Sequence, residues 1–388
     1  MQSQEPTTRR GFLQSTTATA GALAVPYFVS ARALGAEGGT PASDRIVMGA
    51  IGTGGMGRGN VGGFMFEPDV QMVAVCDVDR RHLELAAQMV NEKYENEDCQ
   101  TFADYRQLVA RNDLDAVIVA TPDHWHALAT IAALEQGKHV YCEKPLANSV
   151  AESRAIVAAV ERTGKTLQCG SHERSNDDVR RACELVRNGR LGKVHTVRIN
   201  MPCDEPHHLT AKSTSGAVSA MPVPPEFNYK MWLGHTPDVP YHESRCHFWW
   251  RFNLAYGGGE MTDRGAHIID IGQLALDKEQ TGPVEYRAKG FANPGGLYDA
   301  YMDFQFENIY ADGTRMIGSN NGPRGIQFEG SDGWLLVHIH GGKLEAGPAS
   351  ILQETIGENE VQLGGTPRHR RNFLDCIKSY AMPTADVE

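Results

Sequence analysis

Two short constellations in this chain have the residue types and spacing of a reactive site. The first is Gly52-Thr53-Gly54-Gly55-Met56-Gly57, a G-x-G-x-x-G turn with Asp77 twenty residues beyond its last glycine. Gly52 allows the tight turn, Gly54 a close backbone approach to a pyrophosphate, and Gly57 close packing of helix on strand. Unpaired N–H groups at the start of the following helix suit the anionic pyrophosphate. Asp77 would accept hydrogen bonds from the adenosine ribose hydroxyls and repel a 2′-phosphate, which favours NAD over NADP. Arg80 and Arg81 stand close behind it, so NADP stays open. A glycine-rich turn of some other α/β protein is the competing reading.

The second constellation is Asp263-Arg264-Gly265-Ala266-His267-Ile268-Ile269-Asp270, read as the start of a helix to Leu276. Spacings of four and three put Asp263, His267 and Asp270 within about 60° of one another on a helix. A histidine suits proton transfer at neutral pH, and a neighbouring carboxylate supports its imidazolium. The same spacing also fits Asp263 as an N-cap and His267 as a half-buried polar residue. Other chemistries find less support. His207, His208, His242, Glu243, Cys246 and His247 meet no zinc spacing, so no metal is expected. No G-x-S-x-G elbow occurs for serine hydrolysis. Eight cysteines without a C-x-x-C pair read as free thiols, and no disulfide is assigned.

The elements that must position these residues alternate strand and helix from Arg45 to Gly170. Ile46–Ile51, Val70–Cys76, Ala116–Ala120, His139–Cys142 and Thr166–Gly170 read as buried strands, separated by helical segments. Such alternation predicts a parallel doubly wound sheet with ligands at the carboxyl ends of its strands. Two polar clusters fall there: Thr121-Pro122-Asp123-His124-Trp125-His126 and Glu143-Lys144-Pro145. Thr121, His126 and Glu143 are therefore placed beside the cofactor, with Trp125 as a packing or ring-stacking neighbour.

After Ser171 the pattern changes. A capped helix to Asn188 and a strand Val194–Asn200 precede a long insert, Pro202–Ala255. Val284–Phe291, Tyr298–Phe306, Arg315–Gly318, Ile326–Glu329 and Trp334–His338 then read as strands joined by short turns, predicting an open, mainly antiparallel sheet. The fold class is thus α/β, a Rossmann dinucleotide-binding domain (45–170) followed by a C-terminal α/β domain (171–388). The insert carries Trp232, Tyr241, Arg245, His247, Trp249, Trp250 and Arg251. Its aromatic faces suit a polyhydroxylated ring, and equally a core or subunit contact.

The glycine turn, Thr121–Ala127, Glu143-Lys144-Pro145-Leu146-Ala147, Leu185–Val194 and Gly257–Asp263 together resemble the glucose–fructose oxidoreductase / inositol dehydrogenase / MocA (Gfo/Idh/MocA) family, over most of 45–375. The resemblance implies that Lys144, the lysine of E-K-P, sits near the nicotinamide and the reacting hydroxyl, where a cation stabilises a developing alkoxide. By spacing alone Lys144 reads as a surface residue at a strand end. Pro145 is implied to fix the turn, in a cis peptide. Asp263 and His267 are implied to stand at the substrate. The expected activity is hydride transfer between tightly bound NAD and a carbinol carbon of a sugar, cyclitol or glycoside. A glycosidase or lyase that recycles its NAD within each turnover is the main rival, and a non-catalytic NAD- and sugar-binding protein a third. A homodimer or homotetramer is implied by the resemblance alone.

Before Arg45 the chain reads as an address. Arg9-Arg10, a weakly apolar stretch and Ala31-Arg32-Ala33 form a secretory signal of the twin-arginine type over residues 1–36, with 37–44 as linker. A periplasmic location is expected, and a chance Arg-Arg in an unstructured terminus is the alternative. The 388 residues bear a net charge of −11, which argues against nucleic acid as partner. No run approaches the ~18 apolar residues of a membrane helix. Relatives are implied to continue beyond the final amphipathic segment, Arg368–Tyr380, so a shortened chain is expected.

Overall fold

The computed structural model describes residues 40–203, 205–214, 218–291, 296–339, 343–364 and 368–387. The twin-arginine segment lies outside the described residues. Residues 1–45 and 46–388 form separate units, and the elements below belong to the second.

The first half builds the doubly wound sheet. In chain order it contains β1 (Ile46–Ile51), α1 (Gly55–Met65), β2 (Val70–Cys76), α2 (Arg80–Tyr94), β3 (Gln100–Phe102), α3 (Tyr105–Val109) and β4 (Ala116–Val119). Then follow α4 (Asp123–Glu135), β5 (His139–Cys142), α5 (Val150–Thr163) and β6 (Leu167–Cys169). The six strands are parallel in the order β3-β2-β1-β4-β5-β6, the Rossmann order. Their apolar runs are buried on both faces because helices cover both. Met48, Phe64, Met72 and Ile118 fill one side, and Ile51, Leu108, Val119, Leu134 and Ile156 the other. Side-chain caps by Asp79 and Ser149 start α2 and α5.

The second half supplies α6 (Asp177–Arg187), β7 (Val194–Asn200), α7 (Pro206–Ser213), α8 (Tyr229–Leu233), α9 (Glu260–Asp263) and α10 (Gly265–Ala275). Strands β8 (Glu285–Phe291), β9 (Asp303–Ile309), β10 (Arg315–Ser319), β11 (Gly325–Gly330), β12 (Trp334–His338) and β13 (Lys343–Gly347) complete the seven-stranded sheet. Its order is β13-β12-β11-β7-β10-β9-β8; only β7 and β10 pair in parallel. Helices α6 and α10 cover one face, burying Val179, Leu185, Ile268 and Ile271 against Ile199, Met316, Ile326 and Phe328.

Two expectations shift. The strand expected at Tyr298–Phe306 forms as β9 at Asp303–Ile309; Tyr298 and Met302 are buried in the preceding loop, whose apolar side chains imitated a strand. The helix expected from Asp263 is two helices, α9 and α10, with Arg264 at their junction. Asp263 therefore ends a helix and is not an N-cap. The last helix, α11 (His369–Ser379), returns to the first sheet, where Phe373 and Leu374 join the core beside Phe64 and Tyr141. Arg371 anchors it by paired contacts to Asp69 at 2.6 and 2.9 Å.

Candidate active site

A cavity of about 760 Å³ runs from the glycine turn to the end of α9 and is lined from both halves of the chain. At one end each glycine has its own physical reason. Gly52 has φ +81°, and a Cβ there would lie 2.6 Å from the Thr121 backbone nitrogen. A Cβ on Gly57 would lie 1.9 Å from the Gly52 carbonyl oxygen, so α1 rests directly on the turn. A Cβ on Gly54 or Gly55 would meet nothing within 4 Å. Both line the cavity, and no side chain caps the first turn of α1, leaving its amides for an anion. Asp77, at the end of β2, accepts hydrogen bonds through Oδ2 from Thr53 N at 2.6 Å and Thr53 Oγ1 at 3.1 Å, and through Oδ1 from Asp79 N. These bonds hold its carboxylate on the cavity wall. Thr121 lines the same wall, and its buried hydroxyl has no hydrogen-bond partner among the described residues. An open glycine cradle, uncapped amides and an orphaned hydroxyl together fit a dinucleotide.

His126 ties two loops at this end. Its Nδ1 lies 2.6 Å from the Pro145 carbonyl and its Nε2 2.8 Å from the Thr121 carbonyl. Burial drives its pKa down to about 4 against the pull of those two carbonyls, so at neutral pH the ring carries one N–H and donates to one carbonyl at a time. Glu143 is buried and accepts from Asn60 Nδ2 at 2.7 Å; Asn60 in turn accepts from Arg370 of α11 at 3.0 and 3.2 Å. Gly63 makes this reach possible, since a Cβ there would lie 2.5 Å from the Arg370 guanidinium. Sequence reading missed Asn60 and Arg370 because neither belongs to a local motif.

At the other end Lys144 and Asp263 meet. Lys144 Nζ donates to Asp263 Oδ1 at 2.7 Å and to the Asp263 carbonyl at 2.8 Å. Arg251 Nε stands 3.4 Å from Asp263 Oδ2, its guanidinium stacked over the Trp250 and Phe248 rings at 4.5 and 4.8 Å. Desolvation in the cavity pulls the Asp263 carboxyl upward, but the Lys144 and Arg251 charges outweigh it and hold Asp263 well below the usual carboxylate range. His267, one turn further on, is buried at the cavity wall with its ring 4.6 Å edge-on from that of His172. The third member expected on this face, Asp270, does not join them. It binds Arg174 at 2.6 and 2.8 Å and does not line the cavity.

The aromatic insert settles mostly as core. Phe227, Tyr229, Trp232, Tyr241, Trp250 and Tyr256 pack together around Cys246, while Phe227, Trp232 and Trp250 also present surface to the cavity. Backbone bonds seat the insert on the β2–α2 turn: Arg80 N to Glu226 O and Asn228 N to Val78 O, both at 2.9 Å. Among the described residues one group has cation-binding proximity, Asp79 with His82 and His247. Asp79 is already engaged there by the Arg81 backbone N–H at 2.9 Å and guanidinium at 3.2 Å.

Comparison with known proteins agrees with this architecture. Residues 46–171 match the model described as "Oxidoreductase family, NAD-binding Rossmann fold", and 175–342 the "Oxidoreductase family, C-terminal alpha/beta domain". The "Uncharacterized oxidoreductase YrbE" of Bacillus subtilis is 30% identical over 174 residues, 45% of this chain and 49% of that protein. A "Glycosyl hydrolase family 109 protein" of Shewanella pealeana is 34% identical over 157 residues, 40% of this chain and 34% of that protein. The chain thus spans about half the length of the first relative and a third of the second. Among solved structures, the WlbA dehydrogenase of Bordetella pertussis, in complex with NADH and UDP-GlcNAcA, superposes with TM-score 0.62 at 17% identity, covering 88% of this chain and 91% of that one. An aldose-aldose oxidoreductase of Caulobacter crescentus gives 0.61 at 19% identity, covering 88% and 92%. At such identities the likeness is one of fold. Matched by both domain models of a single family, in order and over most of its length, the chain belongs to the Gfo/Idh/MocA family of NAD-binding oxidoreductases.

Proposed function

We propose that the protein oxidises a carbinol carbon of a neutral sugar, cyclitol or glycoside, using NAD held in the cavity between its two halves. The observation that carries this reading is the Lys144–Asp263 pair beside His267, at the end of a cavity that begins at an open glycine cradle. Bound NAD supplies the hydride acceptor. Gly54, Gly55 and the first turn of α1 would hold its pyrophosphate, Asp77 its adenosine ribose, and Thr121 the nicotinamide side. His267 takes the hydroxyl proton, and Lys144 donates a hydrogen bond to the oxygen as negative charge grows on it. Asp263 holds Lys144 in place through its carboxylate and its carbonyl.

A neutral substrate follows from the pairing of the cavity's cations. Lys144 and Arg251 face Asp263, and Arg264 is bound to Glu260 at 2.9 Å and Glu205 at 2.6 Å. Such a wall offers alternating donors and acceptors, as hydroxyl groups require.

Retention of NAD through many turnovers fits the insert, which lies over the ribose end and is fastened to the β2–α2 turn. It also fits export through the twin-arginine signal into a compartment without free cofactor. The exposed Tyr286 and Phe291 on edge strand β8, with Val284 just before it, support a homo-oligomer. The glycosidase reading, in which the same NAD is reduced and reoxidised within one turnover, draws on the family 109 relatives. Two measurements separate these readings. Mass spectrometry of small molecules released from the denatured protein should find NAD; a carbohydrate panel should then yield net NADH. Glycoside cleavage without net NADH would favour the glycosidase, and neither activity would sink both.

A further inference from the structure

Asp123 is used by none of the steps above, yet it stands inside the reaction cavity. It is the first residue of α4, 3% exposed, and lines the wall shared with Lys144, Asp263, Arg251 and His126. Among the described residues its carboxyl has no side-chain hydrogen-bond partner. Gly257 makes room for it: a Cβ there would lie 3.2 Å from Asp123 Oδ2 and 2.8 Å from the Trp250 ring. The neighbouring backbone is fixed, since His124 N donates to Tyr256 O. A buried carboxyl that faces a polar cavity and is bonded only by its own backbone N–H among the described residues is an open binding position.

We propose that the Asp123 carboxyl is a substrate-contacting group that holds a hydroxyl adjacent to the reacting carbon. This rests on the carbohydrate-dehydrogenase reading of the cavity and adds a residue to it. Burial comes first in setting the state of Asp123, and the repelling charge of Asp263 adds to it. Together they outweigh Lys144 and Arg251 and push the carboxyl well above its ordinary value. Cys142 faces it from β5 as a buried, protonated thiol, and His124 and His126 on its own helix are held neutral. In its protonated form, which this upward shift favours, the Asp123 carboxyl has one O–H to donate and a carbonyl oxygen to accept. That donor–acceptor pair matches a vicinal diol. Beside it Asp263 remains an anion, so the two carboxyls take different roles.

The test uses full-length protein with its NAD and three forms: wild type, Asp123→Ala and Asp123→Asn. Infrared difference spectra between wild type and Asp123→Asn at pH 7 should show a protonated-carboxyl band that shifts when a panel carbohydrate is added. With a panel substrate, Asp123→Ala should raise KM about tenfold while kcat falls less, as loss of one hydrogen bond implies. Asparagine keeps a donor and an acceptor, so it should recover most of that loss. It should also extend kcat/KM to higher pH than wild type, where Asp123 ionises. A missing band, a band indifferent to carbohydrate, an unchanged KM in Asp123→Ala, or an Asp123→Asn protein no better than Asp123→Ala would each overturn the proposal. If no panel member is oxidised, the dehydrogenase reading fails separately, and the carbohydrate-induced band shift still decides the role of Asp123. Should the alanine variant not fold, the spectra and pH profile of Asp123→Asn decide alone.

Discussion

Lys144 Nζ and Asp263 Oδ1 lie 2.7 Å apart although 119 residues separate them in the chain. Lys144 follows β5 of the dinucleotide domain, and Asp263 ends α9 in the second half. The pair exists only when the two halves close on the cavity, so it links assembly of the site to its chemistry. Replacing Lys144 by alanine should lower kcat by about 10²–10³, the usual effect of losing one preorganised donor. NAD content, read by mass spectrometry, should stay near wild type because the glycine turn and Asp77 are untouched. Wild-type turnover in Lys144→Ala would refute the assignment.

The glycine turn predicts a contrast between two alanine variants. Gly57→Ala places a Cβ 1.9 Å from the Gly52 carbonyl and should lower the melting temperature and abolish NAD retention together. Gly54→Ala meets no protein atom within 4 Å, so melting of the NAD-free protein should be unchanged while NAD affinity falls. Equal melting behaviour in the two variants would remove this account of the turn.

Four histidines, His124, His126, His139 and His369, are pushed down by burial from an ordinary 6.5 to about 4. Between those values the unfolded chain binds protons that the folded chain does not, so stability must fall as pH falls. Melting temperature should therefore decline from pH 7 toward pH 4. His139 gives the cause locally: its Nδ1 accepts the Thr166 backbone N–H, a bond that protonation at that nitrogen breaks. His139→Gln should show a shallower decline over that range; an identical slope would count against the assignment.

Phe227 carries the prediction for the insert. It forms an isolated bridge with Asp79 and lines the cavity together with Asp77. Phe227→Ala keeps the two flanking backbone bonds but opens that wall. NAD should be lost about tenfold faster on gel filtration while the Lys144 end stays intact. Retention equal to wild type would place the hold on NAD elsewhere.

What the residues alone established was local. The glycine turn, the period of the strands and the Glu143-Lys144-Pro145 turn are legible because steric freedom, alternation and short-range caps act within a few residues. The Rossmann half and the open second sheet were read correctly in kind. Strand β9 was misplaced because buried loop residues are apolar for the same reason as strand residues. Asp270 was grouped with His267 by helical spacing, but its carboxylate pairs with Arg174, a residue far away in the chain. Arg251, Asp123, Asn60 and Arg370 owe their place at the site to contacts across long separations. Burial and charge pairing set their chemistry, and both depend on which distant segments meet. A nucleotide cradle and a set of reactive side chains are thus encoded in local residue order, whereas which of them face one another depends on tertiary packing, because desolvation and Coulomb interaction act through space.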